Sequence, residues 1–325
     1  MAGVSETRTQ DALLTTTLAN YRNTLYDNIF DNYPLLSWLN GKLGTAMRGA
    51  SVKRVIGGGE SIVEQLLYEV NSTAKYYAGA EVLDTTLQDG MTIARYNWKQ
   101  ASSSIGITGL ERRSNMGEEQ LINLLQAKAT QAEKSLQSVL SEGAWSDGTG
   151  FGGKQLTGLQ AIVDATATVG GLAPGTFAWW AAYEKGSAGS FAANGLAEMR
   201  TAYNTVTYGN DRPDAIFTDQ NVFEYYEKSV QPQERFVNTQ AADAGFMNLS
   251  FKSVPILWDR DCPSGEMYFL NSKYINLVVH RDADMATGEF IRPKDQDVTT
   301  AQILFQGNLT TNNRRMLGKI TGFTA

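Results

Sequence analysis

The chain has 325 residues, 42% hydrophobic and 19% charged, enough apolar material for a sizeable core and, at about 150 residues per domain, for two packed regions or one with large excursions. Its 28 Lys and Arg against 34 Asp and Glu leave a formal charge of −6, and no basic cluster exceeds the pairs Lys53-Arg54, Arg112-Arg113 and Arg314-Arg315, so sequence-reading contact with DNA or RNA is not expected. The single cysteine, Cys262, excludes an intramolecular disulfide framework and any metal site that needs several thiolates.

The N-terminus lacks a basic-then-apolar leader, and no window reaches the ~18 consecutive apolar residues of a membrane span. A soluble protein folded in the cytoplasm is expected, and the Asn-x-Ser/Thr triplets at Asn71, Asn248 and Asn308 then carry no glycosylation meaning. Leu14, Leu18, Tyr21, Leu25 and Ile29 fall at helical spacing, and Tyr33-Pro34 ends the pattern because proline disfavours helix in the residue before it. This predicts an amphipathic N-terminal arm, with Leu35, Leu36, Trp38 and Leu39 beyond it, that must pack on something.

From Ser51 to Lys99 the period changes to two. Glu64, Leu66, Tyr68 and Val70 alternate with Val63, Gln65, Leu67 and Glu69, and Thr92, Ala94, Tyr96 and Trp98 with Met91, Ile93, Arg95 and Asn97. Two strands are predicted, joined by a long, mostly polar stretch from Asn71 to Gly90. An isolated hairpin is marginal in water, and long connections in compact domains have functional reasons. The segment is therefore expected to be unable to satisfy its own apolar and backbone groups, so that identical copies cover one another. Tyr68, Tyr76, Tyr77, Tyr96 and Trp98 in the hairpin, with Leu18, Tyr21 and Leu25 in the arm, are the candidate inter-subunit contacts, because Trp and Tyr are enriched at interfaces.

Asn115 with Glu118 reads as a variant capping box opening a long helix, and Gly143 reads as its stop. Leu121, Leu125, Ala129, Ala132, Leu136 and Val139 or Leu140 form one stripe, and at ~1.5 Å per residue the strut would be roughly 40 Å long. Gly148, Gly150 and Gly153 match a dinucleotide-binding pattern, and Gly148 with Gly153-Lys154 nearly matches a phosphate loop. Both need a preceding strand, whereas a helix precedes here and Gln155 stands where a magnesium-binding hydroxyl belongs; a flexible hinge is the better reading. Beyond it, helices are predicted from Leu196 to Val206 and after Asp219. Strand-like runs are predicted at 214–218, 254–258, 267–270, 275–279 and 303–305. The mixed order argues for an α+β fold.

No catalytic, cofactor-binding or metal-binding residue emerges. His280, the only histidine, ends an apolar run with no nucleophile nominated by sequence, and Cys262 before Pro263 reads as a turn residue. Asp282, Asp284 and Gly288 fail as a calcium loop because Ala286 and Pro293 occupy ligand positions. Glu118-Glu119 sits where a helix dipole favours carboxylates.

Arm, hairpin, strut helix, glycine linker and terminal α+β region follow in an order that resembles the tailed-phage major capsid family with the Hong Kong 97 fold. Family-like wording runs through Ser104-Ile105-Gly106-Ile107-Thr108-Gly109, Gly158-Leu159-Gln160-Ala161-Ile162-Val163, Val254-Pro255-Ile256-Leu257-Trp258-Asp259 and Met267-Tyr268-Phe269-Leu270-Asn271. The resemblance covers nearly the whole chain. It implies an N-arm at 1–48, an E-loop hairpin at 49–100, a P-domain with spine helix at 101–155, an A-domain at about 156–272 and a return to P-domain β-structure at 273–325. It further implies a non-enzymatic virion subunit, assembled in the host cytoplasm into pentamers and hexamers around double-stranded DNA that it contacts non-specifically, with each hairpin lying over a neighbour. A separate scaffold protein, a portal and decoration proteins would be the partners, with no cofactor and no membrane. An encapsulin-like compartment is the nearest alternative, and a soluble carboxylate-dependent hydrolase using His280 the alternative from another class.

Overall fold

In the computed structural model the described residues are 33–41, 52–114, 124–234 and 249–325, with side chains of 231–234 left aside. After α1 (Pro34–Leu39) come β1 (Lys53–Ile56), β2 (Ile62–Leu67), β3 (Met91–Tyr96) and β4 (Lys99–Thr108). Three helices follow, α2 (Gly109–Ser114), α3 (Leu124–Trp145) and α4 (Leu159–Ile162). The next stretch holds β5 (Tyr183–Lys185), β6 (Gly189–Ser190), α5 (Leu196–Thr205), β7 (Ala215–Thr218), α6 (Gln220–Glu234), β8 (Ser250–Phe251) and β9 (Val254–Trp258). The chain finishes with β10 (Met267–Leu270), β11 (Ile275–His280), β12 (Ala286–Thr287), β13 (Val298–Thr311), β14 (Gly318–Ile320) and β15 (Phe323–Thr324).

Two sheets organise these elements. The first is built on the 14-residue β13, which pairs antiparallel with β4 from Thr108 to Lys99 on one edge and with β11 and β12 on the other; β1 closes it in parallel against β11. The second runs β5-β14-β10-β7-β9-β8. Its central strands are apolar at consecutive positions because each face meets a different core. Ala215, Phe217, Tyr268 and Leu270 face the main core, whereas Ile216, Met267 and Phe269 face a second core shared with α5 and α6.

Two expected boundaries are corrected by this pairing. Strand β1, placed by the sequence reading in the hairpin, belongs to the first sheet, and β14, placed with the returning segment at 273–325, lies in the second sheet beside β10. Neither four-residue nor three-residue strand carries enough pattern to reveal its partner; long-range register decides it.

Helix α3 supplies the strut. Its described part has 22 residues, roughly 33 Å at ~1.5 Å each, and it continues past the expected stop at Gly143 to Trp145. Gly143 is buried inside the helix beside Leu156 and does not terminate it. The expected cap at Asn115 and Glu118, and Leu121, lie outside the described residues. Ala132, Leu136, Leu140 and Ala144 form the buried stripe, ending on Trp145, whose ring meets Tyr268 and Phe217 edge-on at centroid separations of 5.2 and 6.2 Å. Leu125 and Val139, expected on that stripe, are exposed. The glycine linker is a tight turn: Phe151, Gly152 and Gly153 take left-handed φ values of 53°, 68° and 78°, the Asp147 carboxylate accepts from the Thr149 N–H at 2.9 Å, and Lys99 Nζ donates to the Gly153 carbonyl. A helix precedes it, so the phosphate-cradling context is absent.

Candidate assembly interface

Strands β2 and β3 form an antiparallel ribbon in register from Ile62 opposite Tyr96 to Leu67 opposite Met91. Period-two alternation gives it two faces. Ile62, Glu64, Leu66, Ala94 and Tyr96 are buried, and Val63, Leu67, Met91 and Ile93 are exposed. The buried face belongs to the main core, so the base of the hairpin is part of the body of the subunit.

Several contacts fix that base. The Tyr96 hydroxyl donates to the Thr311 carbonyl at 2.9 Å, and its burial holds the phenol well above its ordinary range. Glu64 accepts from the Thr310 hydroxyl at 3.1 Å and from Arg54 Nη1 at 3.3 Å. The Arg95 N–H donates to the Gly170 carbonyl at 2.9 Å, and Gly170, at φ +63°, lies so close that a Cβ there would meet the Ala94 methyl at 2.7 Å. Tyr68 stacks on Trp179 with ring centroids 5.3 Å apart and planes 13° apart. Trp98 donates through Nε1 to the Gly59 carbonyl at 2.9 Å and sits edge-on to His280.

The loop carrying Gly170 is itself held by an unusual anchor. Arg314, fully buried, donates to the carbonyls of Ile162, Ala167, Ala161 and Asp164 at 2.8, 2.9, 3.0 and 2.6 Å. Burial lowers its pKa to about 10, so the guanidinium remains charged at neutral pH with backbone dipoles as its direct partners. Asp164 accepts from the N–H groups of Thr166 and Ala167 at 2.7 Å each and faces Lys319 Nζ at 3.3 Å. Desolvation opposes its ionised form, but these N–H groups, the Thr166 hydroxyl and Lys319 outweigh it and hold the carboxyl at about 2.

Beyond Tyr68 the body ends. From 69 to 89 every residue except Thr73 is exposed, including Val70, Tyr76, Tyr77, Val82, Leu83 and Leu87. The two arms of the tip are joined by the Tyr68 N–H donating to the Gly90 carbonyl at 2.9 Å, Tyr68 OH donating to Asp89 O at 2.9 Å and Ser72 Oγ donating to Gln88 Oε1 at 2.9 Å. Asn71 and Asp84 each accept from the N–H and hydroxyl two residues on, forming local turns. These bonds shape the tip without covering its aliphatic side chains.

The expected contact residues therefore divide. Tyr76 and Tyr77 stand in solvent, Tyr68 and Trp98 are half-buried on their own chain, and Leu18, Tyr21 and Leu25 lie outside the described residues. Tyr96 is corrected: at 3% exposure it is a core residue, because its hydroxyl reaches Thr311 across the subunit interior. The expectation that all of Ser51–Lys99 lacks partners is likewise narrowed to the tip. Val70, Val82, Leu83 and Leu87 were missed; the available signal was their presence in a stretch otherwise polar.

Among the described residues no three His, Cys, Asp or Glu side chains are grouped to hold a metal ion, and no helix is long and apolar enough to cross a membrane. Burial, followed by the carboxylates of Asp219, Glu266 and Asp259, pushes the Cys262 thiol well up, the opposite of what a nucleophilic thiolate requires. His280 Nδ1 accepts from the Asp282 N–H at 3.2 Å, an engagement of local backbone that nominates no nucleophile.

No protein-family model matches the sequence, and no curated protein is significantly similar to it. Solved structures do match along nearly the whole chain. The capsid of cyanophage A-1(L) aligns over 94% of this chain and 96% of its own, with TM-score 0.66 and 15% identity. This is the Hong Kong 97-type capsid fold. The capsid of a native GTA particle aligns over 93% of this chain and 95% of its own at TM-score 0.61 and 11% identity, and the SrpI encapsulin of Synechococcus elongatus over 96% and 95% at 0.59 and 10%. In the vocabulary of that fold the β2–β3 ribbon corresponds to an E-loop and α3 to a spine helix, and the mixed helix and strand content agrees with the α+β expectation.

Proposed function

We propose that this chain is the shell-building subunit of a phage head, closing as pentamers and hexamers into an icosahedral container for double-stranded DNA. The observation that carries the reading is the hairpin tip: in a chain of capsid fold, a ribbon whose base is buried in its own core extends six exposed large apolar side chains that no described residue covers. Apolar surface is stabilised by burial at roughly 25 cal/mol per Å², and contiguous exposed patches mark interaction sites. A second copy supplies the missing cover. The −6 charge suits a wall that contacts its genome weakly and non-specifically. A scaffold protein, a portal and decoration proteins are the further partners such a head would use.

The encapsulin likeness supports a second reading, a protein compartment, because its TM-score of 0.59 lies close to those of the phage capsids. Negative-stain microscopy of the purified full chain tests the shell reading: closed shells or capsomer rings are expected, and a discrete monomer at high concentration would refute it. Contents separate the two containers, since particles from an infection should hold DNA and a compartment should hold protein cargo. The hydrolase alternative predicts that His280→Ala abolishes an activity; the shell reading predicts unchanged assembly.

A further inference from the structure

Helix α1 is hydrogen-bonded to the body of the subunit by a buried carboxylate from far along the chain. Its N-cap residue, Tyr33, supplies no side-chain bond and Pro34 opens the first turn, so the helix does not satisfy its own leading N–H groups. The Leu35 N–H donates instead to Asp259 Oδ2 at 3.0 Å, in the turn that follows β9. Leu35, Trp38 and Leu39 are buried in the main core, and the Trp38 ring meets Phe217 edge-on at 5.7 Å. Residues 1–32 precede this helix, which makes α1 the root by which the N-terminal segment joins the folded body.

The seat of that bond is a pair of carboxylates without a cation. Asp259 is 1% exposed; its Oδ1 accepts from the Asp261 N–H at 3.1 Å, and Asp261 Oδ2 accepts from the Ser141 hydroxyl of α3 at 2.5 Å. Among the described residues no Lys or Arg forms an ion pair with either carboxylate, and Arg260 between them is exposed. From α3 the buried Trp145 indole N–H faces Asp259 without closing a hydrogen bond. The remaining titratable neighbours are the Cys262 thiol and, around it, Asp219, which accepts from the Val222 N–H at 3.1 Å, and Glu266, which accepts from the Tyr268 hydroxyl at 2.5 Å. Burial raises the Asp259 pKa, the N–H groups of Leu35 and Asp261 oppose the rise, and the Asp261 charge adds to it. The ionised carboxylate is therefore least favourable while α1 covers it, and water reaching it relieves that penalty.

We propose that Asp259, with Asp261 as its like-charged neighbour, is a proton-operated latch on the root of the N-terminal segment: a proton taken up by the pair closes α1 onto the body, and its loss favours the opened helix. The device lies within one subunit and does not depend on the shell reading. Closed α1 binds the proton more tightly than opened α1, so the closed state gains as pH falls from neutrality toward the ordinary carboxyl value of 3.8 and loses that gain as pH rises through the raised one. At Asp164, whose value is lowered, the sign is the reverse.

Hydrogen exchange of the unassembled full chain, read by mass spectrometry over peptides spanning 33–41 and corrected for the chemical exchange rate at each pH, tests the latch. Lowering the pH from about 7.5 to about 4.5 should raise the protection of α1, by up to about tenfold per pH unit within the titrating range. Asp259→Asn keeps an acceptor for the Leu35 N–H but carries no charge, and should hold α1 at the acid-side protection at every pH. Asp261→Asn keeps the latch bond and removes the like charge, and should move the rise to lower pH. Protection that is flat with pH in the unmodified chain overturns the latch, and so does a rise that survives in Asp259→Asn. Where Asp259→Asn does not fold, Asp261→Asn decides alone: a midpoint equal to that of the unmodified chain assigns the titration to another group and overturns the proposal.

Discussion

The base and the tip of the β2–β3 hairpin are continuous in the chain, yet the paired strands at the base are core and the mostly polar connection at the tip is bare. The base alternates over a body that receives one of its faces, so Ile62, Leu66, Ala94 and Tyr96 are buried. At Tyr68 and Trp179 the body stops, and Val70, Val82 and Leu87 project with nothing beneath them. The difference teaches that β-hairpin stability here is local to the seat: a two-stranded ribbon is stable where a third layer covers it and needs a partner where none does.

That contrast can be broken most severely from the body. Trp145→Ala removes the ring on which Tyr268 and Phe217 rest and should cost roughly 3–5 kcal/mol of subunit stability, measured by chemical denaturation, before assembly is considered. Next in size is the seat itself. Gly170→Ala places a methyl 2.7 Å from Ala94 at a left-handed backbone position and should cost roughly 1–3 kcal/mol, with hydrogen exchange increasing in β2 and β3.

Acid should loosen the same seat more gently. Because the Asp164 carboxyl lies at about 2, below the ordinary value of 3.8, its contribution is present above about pH 4 and lost as pH falls through about 2, where the folded state must take up the proton. Asp164→Asn should therefore flatten the acid limb of a stability-against-pH curve between those limits; an unchanged limb would show that the loop does not depend on this carboxylate. The smallest effect on the isolated subunit is the most informative. Leu87→Ser should change subunit stability by no more than about 0.5 kcal/mol, as surface substitutions do, while visibly reducing shell yield.

Much of the fold was legible in the sequence because it rests on strong periodicity. The ribbon from Ile62 and Met91, the strut through Leu136 and Leu140, and the runs at Val254, Met267 and Ile275 all reappear as elements. The capsid fold itself was expected from their order and from family-like wording. Of the candidate contact residues, Tyr76 and Tyr77 are exposed, whereas Tyr96 obeyed the same alternation and went inside, since its pattern fixes which residues share its face and not whether anything lies against that face.

What the sequence determined by itself is local: period, breakers, turn chemistry such as Asp84 with Thr86, and the absence of thiol clusters or long apolar spans. Tertiary structure alone decided that β1 and β14 join sheets distant in the chain, that Arg314 spends its charge on four carbonyls beneath the hairpin seat, and where the ribbon leaves the body. The physical reason is range. Backbone preference and alternation act over a few residues, whereas burial is set by whichever distant surface the chain brings alongside.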